Sequence, residues 1–461
     1  MGGGNIMKTR FARAAYVAIL ACGLAAPAAV VASDSPPPAA VTTVELEAEI
    51  RSELDSLRER IEDLEVLLAT LVASRDVEVP PADTEPSLAL AAAGAGASRG
   101  AGLPAPSIQD AGPIAPEGVA STGGQPLSIT GLVDTYFTHN TNDPADGNNT
   151  LYYTNPNARG FGLNQLKLEI ETTGDGPFGF RSDIWFGSGA RLFRDGLEPG
   201  PLADLLYVQQ AYGYYRFGNG AQFDMGAFGT IAGLEVAESH LNWNYTRGIL
   251  WAWNEPFSHV GARLGVPLTD TFTGTLMLVN GFDNAWDQNT GKSYGVQGSL
   301  APSDRLNTTL TWINGPENAG TNDGWLRDLS WNAYVGLTDR VEAMVNMDYI
   351  SATDEMGTSA TSWGLGGYLR FHVNDRVRIA ERYEFMNDRE ARSTGLEQML
   401  MENTVTLEFQ PVVDDPRFLA RLEYRRDWSD ADFFSCSGCG EGLSKSQNTF
   451  TIGMSWVFGP K

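Results

Sequence analysis

The sequence predicts an all-β membrane protein: a closed antiparallel transmembrane β-barrel of about 16 strands, preceded by a short α-helical coiled coil and a disordered Ala/Pro/Gly-rich linker. Three observations carry this expectation. From residue 127 onward, segments of about ten residues alternate apolar and polar side chains. Short turns alternate with long connections over the same region. The last segment, Thr451 to Phe458, combines that alternation with Gly453 and the paired aromatics Trp456 and Phe458.

Composition removes several competing classes. The 461 residues carry 32 Lys plus Arg against 57 Asp plus Glu, a formal charge of −25. So acidic a chain lacks the basic footprint of a nucleic-acid binder. Three cysteines, Cys22, Cys436 and Cys439, are too few for a disulfide scaffold or a zinc cluster. Beyond the N-terminus no apolar run reaches the roughly 18 residues that a membrane helix needs. Barrel strands alternate, so that criterion does not touch them.

Residues 1–32 have the plan of a secretory signal peptide. Lys8, Arg10 and Arg13 precede an apolar stretch from Ala14 to Ala26, and Val30 and Ala32 are the small residues before a cut near Ser33. Met7 offers a second start. The short, Ala-rich run argues against a retained anchor, and the large Leu20 makes a poor lipidation box ahead of Cys22.

Residues 44–74 form the one helical stretch. Ile50, Leu54, Leu57, Ile61, Leu64, Leu68 and Leu71 are spaced 4, 3, 4, 3, 4, 3, an a/d seam with charged residues on the other faces. Such a narrow stripe needs partners, which makes it an oligomerisation coil, with a trimer as one outcome; packing on its own chain is the alternative. Residues 75–126 have too few aromatics to order themselves and form a linker.

Residues 127–461 supply the barrel. Short turns fall at Gly174–Gly176, Asn219-Gly220, Thr269-Asp270, Ser303-Asp304, Thr338-Asp339, Asn374-Asp375 and Asp414-Asp415. Between them lie connections at His139–Gly160, Ser188–Asp204, Gly229–Pro256, Phe282–Lys292, Gly315–Arg327, Ala352–Thr361, Asp388–Leu400 and Ser429–Lys445. Seven turns and eight loops require 16 strands and put both barrel ends on the short-turn, periplasmic side. Trp312, Trp331, Trp363, Trp428 and Trp456 lie near strand ends, where interfacial girdles form. Thr275–Asn284 recurs as Thr309–Asn318, and each copy is expected to leave the sheet through Asn-Gly.

Thr451 to Phe458 resembles the C-terminal recognition strand of bacterial outer-membrane barrels. The resemblance implies capture by the barrel-assembly machinery through Gly453, Trp456 and Phe458; Gly459, Pro460 and Lys461 depart from it by following the final aromatic. More broadly, the chain resembles the OmpL-like β-barrel porin family from about Ile129 to Phe458. The carrying residues are Gly131–Tyr136, Phe161 with Asn164-Gln165, Gly233–Val236, Asn242–Arg247, Pro256 with His259 and Gly261, and Asn280–Asp283. This implies an outer-membrane pore of a Gram-negative bacterium, in contact with lipid and lipopolysaccharide, with the coil in the periplasm and the solute unassigned.

Strand parity nominates a pore wall of both signs: Lys167, Arg370, Arg378, Arg382 and Arg421 against Asp348, Glu384 and Glu408. Facing rows would orient polar solutes in a wet lumen, while mutual pairing is the plainer alternative. The longest loop, Gly229–Pro256, follows the fifth strand, and Glu235, Glu238 and Arg247 are its candidates for a constriction. Packing outside the barrel is the competing placement. Cys436 and Cys439 are expected to close a small disulfide in the last loop. Four histidines, none in a motif, give an enzyme little to work with. The expectation is a non-enzymatic, oligomeric diffusion porin for small hydrophilic solutes, without cofactor or metal. The alternative is a tether joining the barrel to the cell wall through its coil.

Overall fold

The computed structural model describes residues 121–122, 125–174, 176–192, 206–354, 356–413 and 415–459. The expected signal peptide, the coiled-coil seam from Ile50 to Leu71 and the linker up to residue 120 lie outside the described residues.

Sixteen strands form one antiparallel sheet that closes on itself. In chain order they are β1 (Gln125–Asn140), β2 (Arg159–Thr172), β3 (Phe178–Phe186), β4 (Leu206–Arg216), β5 (Gln222–Gly229), β6 (Ser258–Pro267), β7 (Phe272–Val279) and β8 (Ser293–Ser303). They continue as β9 (Leu306–Pro316), β10 (Trp325–Gly336), β11 (Val341–Thr353), β12 (Ser359–Asn374), β13 (Val377–Asp388), β14 (Gln398–Phe409), β15 (Phe418–Ser429) and β16 (Ser446–Phe458). Each strand pairs with its sequence neighbours, and β16 pairs with β1 from Thr449↔Asn140 to Phe458↔Gly131. Closure is what lipid demands, because an open edge would leave amides with no partner. Gly131 makes the seam possible: a Cβ there would lie 2.0 Å from the ring of Phe458. The extra pair Ser121–Thr122 folds back on Gln125 and Pro126.

The rhythm of connections is the one expected, with two adjustments. Strands β11 and β12 run so far outward that only residues 354–358 join them, whereas the turn between β14 and β15 spans residues 410–417. The repeated Asn-Gly also divides. Asn280-Gly281 leaves the sheet after β7, but Asn314-Gly315 stays inside β9, where Gly315 leaves room for Ser293 at 2.0 Å from its Cβ position.

Alternation sorts the two faces. Along β13, Ile379, Tyr383 and Phe385 point outward and Arg378, Arg382 and Glu384 are buried inside. Trp312, Trp363 and Trp456 are exposed on the outside, as girdle residues must be. One outward residue is a carboxylate. Glu381 is exposed on β13, held by the Asn403 amide at 3.1 Å. A carboxyl on this wall is a cost in lipid, so Glu381→Leu should raise the stability of the detergent-solubilised barrel by about 1 kcal/mol or more. The temperature at which its electrophoretic mobility becomes that of the unfolded chain measures this.

Candidate functional site

Residues 230–257, between β5 and β6, lie inside the barrel and are almost entirely buried. The segment contains a 3₁₀ turn, Ser239–Leu241, and a short helix, α1 (Ile249–Trp253). Such irregular backbone needs partners for its amides, and the inward side chains of the strands supply them.

The contacts run around the wall. Ile231 O accepts from Thr311 of β9 at 3.1 Å, and Asn332 of β10 donates to Gly233 O at 2.9 Å. Gln165 of β2 donates to Ala237 O at 2.6 Å. Ser239 donates to Asp134 of β1 at 2.6 Å, as does the Tyr245 hydroxyl at 2.9 Å. Glu423 of β15 accepts from the amides of Tyr245 and Thr246, and Glu384 of β13 accepts from the Leu250 amide at 3.0 Å. Apolar contacts complete the fit. Ile231 packs with Phe228 and Met277, Trp243 with Tyr334 and Tyr368, and Leu250 with Met386 and Leu400. Gly453 of β16 faces this loop, for a Cβ there would meet the Tyr245 ring at 2.2 Å.

The three loop residues singled out from the sequence are each engaged. Glu235 accepts from Arg382 at 2.6 Å, Glu238 accepts from Lys167, and Arg247 donates to the carbonyls of Tyr245 and Ala237. The wall residues are paired as well. Lys167 lies 2.8 Å from Asp183; Arg378 and Arg421 share Glu408 at 2.7 and 2.6 Å. Arg370 meets Glu342 at 2.6 Å and stacks 4.5 Å from the Trp243 ring. Arg382 also holds Glu402, which bridges to Arg425 at 2.9 Å. Arg382 and Arg425 keep at most 1% of their surface exposed, so this part of the lumen is filled by protein rather than water. Toward the short-turn end the inward side chains regain solvent: those of Glu169 and His372 are 24% and 29% exposed.

The candidates singled out from the sequence leave out three anchors of the loop: Asp134 and Glu423 on the wall, and Glu255 at the end of the loop. Parity marks Asp134 and Glu423 as inward, but nothing in the sequence pairs them with a loop a hundred or more residues away. Among the described residues no group of three or more His, Cys, Asp or Glu is placed to hold a metal ion. Cys436 and Cys439 are joined in the last loop, and the neighbouring Ser437 donates to Asp143 O of the first loop.

Glu255 carries a distinct contact. Its carboxyl is hydrogen-bonded to that of Asp348 on β11, and the Asn346 amide bridges the two at 3.0 and 2.7 Å. Burial, then the charge of Asp348, pushes the Glu255 carboxyl well above its ordinary 4.5. Burial likewise drives the His240 imidazole down to about 4, leaving it neutral at pH 7. The sign for Glu255 follows from linkage: a raised carboxyl stabilises fully below 4.5, and that stability is lost as pH climbs through the raised value. Hydrogen exchange in residues 250–257, corrected for its intrinsic rate, should therefore accelerate as the pH climbs from below the ordinary carboxyl value of 4.5 through the raised one. Glu255→Gln, which still donates to Asp348, should remove that dependence; protection unchanged with pH in the parent protein would refute the shared proton.

Comparison with known proteins identifies the fold and the family. No curated protein matches the chain. An anion-selective porin from Comamonas acidovorans aligns with a TM-score of 0.51 at 11% identity, over 72% of this chain and 100% of its own. The outer membrane channel DcaP of Acinetobacter baumannii aligns with a TM-score of 0.50 at 11% identity, over 74% and 99%. The family model described as "Putative beta-barrel porin-2, OmpL-like" matches residues 126–458, the whole sheet from β1 to β16. The chain thus belongs to the OmpL-like β-barrel porin family.

Proposed function

We propose that this protein is an outer-membrane porin through which small hydrophilic solutes or ions diffuse, with residues 230–257 as the element that sets permeation. The loop's placement across the lumen carries the reading: it is held by polar contacts to both halves of the wall, and any path through the barrel must pass it. Glu235, Glu238 and Arg247 then govern passage through their bonds rather than as bare charges in water. Displacing the loop uncovers Lys167, Arg378, Arg382, Arg421, Asp348, Glu384 and Glu408 together, giving a wall of both signs. Arg370, paired near the solvated end, belongs to the vestibule below it. In this reading the long loops face outward, Gly453, Trp456 and Phe458 form the assembly signal, and the coil at Ile50–Leu71 joins copies in the periplasm.

A tether is the second reading, and the filled lumen favours it: a barrel with Arg382 and Arg425 sealed from water could serve as an anchor for the coil. Planar-bilayer recordings separate the two. The porin reading expects discrete current steps from purified protein, and liposomes that swell in small sugars and organic acids. Arg382→Ala removes the bridge to Glu235, costs about 3–5 kcal/mol locally and should raise single-channel conductance severalfold. Electrically silent protein, with or without that substitution, would establish the tether instead.

A further inference from the structure

The basic side chains on the outward face of the barrel fall in one pattern. Among the described strand residues they are Arg159, Arg327 and Arg426, and all three stand at the loop end. In a chain of net charge −25 this bias opposes the composition.

Two of the three flank the closure seam, with β16 and β1 between them. Arg426 on β15 lies opposite Asn448 on β16, whose neighbour but one, Phe450, lies opposite His139 on β1; His139 in turn lies opposite Arg159 on β2. All four side chains point away from the lumen, since the residues flanking Arg426, Asn448 and His139 are buried. A row of rings runs directly beneath. Tyr424 and Phe450 have centroids 5.2 Å apart, and Phe137 and Phe161 5.0 Å apart. Phe161 is 86% exposed and, with Thr135, Tyr136, Gly162 and Leu163, lines an open concavity of about 340 Å³. That volume falls within the range of ligand sites, and its lining is apolar.

An apolar hollow beneath a guanidinium row is complementary to a molecule with an acyl body and an anionic head. We propose that this seam binds a phosphorylated lipid of the outer leaflet, its phosphate on Arg159 and Arg426 and an acyl chain beside Phe161. The proposal rests on the reading that the long loops face the outer leaflet. Arg426 makes no ion pair among the described residues and lies 6.0 Å from the Trp428 ring centroid, so its fork is open to phosphate. Arg159 holds Asp143 at 2.7 Å, but both are largely exposed, and an exposed pair is readily displaced by a phosphate. Asn448 accepts the Tyr424 hydroxyl at 2.8 Å, which leaves its amide free to donate upward. His139 adds a further donor.

The full chain in detergent, with lipid A as probe, tests this by native mass spectrometry and by thermal stability. The parent protein should retain lipid A, and Arg159→Gln with Arg426→Gln should bind it about tenfold more weakly or worse. Phe161→Ala should weaken lipid A but not inorganic phosphate, whereas Arg159→Lys with Arg426→Lys should recover part of the affinity. All these side chains are external, so heat-modifiable mobility and conductance should stay at parental values; loss of either in the parent protein would count against the porin reading, not this site. Equal lipid A retention by the parent and the glutamine pair overturns the proposal. So does equal stabilisation by inorganic phosphate, which would mark a free-anion site. A change of oligomeric state with lipid binding intact also overturns it, by assigning the face to a second copy of the chain.

Discussion

Hydrogen-bond satisfaction inside a closed sheet is the constraint on which the rest of this structure depends. A barrel of this width encloses more space than its wall residues can fill, and here residues 230–257 occupy it. An irregular segment in that position brings unpaired amides and carbonyls with it, each costing about 1–3 kcal/mol if left alone. The wall therefore cannot be apolar. Asp134, Glu384 and Glu423 accept from the segment, while Gln165, Asn332, Arg421 and Arg425 donate to it. The same groups would suit a water-filled channel, and so inward polarity alone does not distinguish a pore lining from a polar core.

Small residues then decide how closely loop and wall approach. Gly453 gives its space to Tyr245, and Gly364 on β12 leaves room for Leu250 at 2.3 Å from its Cβ position. At the wall–wall seam, Gly131 does the same for Phe458. Gly453 thus has a folded-state role of its own, as clearance for the loop. A side chain there would push Tyr245 from Asp134 and loosen the segment at the place where the first and last strands join.

Most of the barrel is legible in the sequence because its rules are local. Period-two alternation sets the face of each side chain, and turn chemistry sets the ends; both survive in β13, β14 and β15 nearly residue by residue. Failures occur where a strand outruns its turn signal, as β11 and β12 do beyond Ala352 and Thr361, or where glycine serves clearance rather than a turn, as Gly315 does. The site is less legible. Parity marks Arg382 and Glu402 as inward, but Glu235 is fixed on Arg382 only in three dimensions. Nothing local records that Glu255 and Asp348, far apart in the chain, share a hydrogen bond.

That difference bears on selectivity. Counting inward arginines along β12 to β15 suggests a basic track, yet Arg370, Arg378, Arg382, Arg421 and Arg425 each have a carboxylate partner within 3 Å. Paired charges at such distances cancel beyond their immediate surroundings, and the field a solute meets is that of whichever pairs the loop opens. Moving the loop away from Arg382 removes Glu235 from it but leaves Glu402 in place; moving it from Lys167 removes Glu238 but leaves Asp183. In both cases the wall keeps a counter-charge and the departing loop carries a carboxylate away. Opening therefore shifts the balance of the exposed wall toward positive at these two points, while the loop's own acids stay beside the path. In the porin reading proposed above, the preference between anions and cations would then be set by how far the loop moves, not by the composition of the barrel.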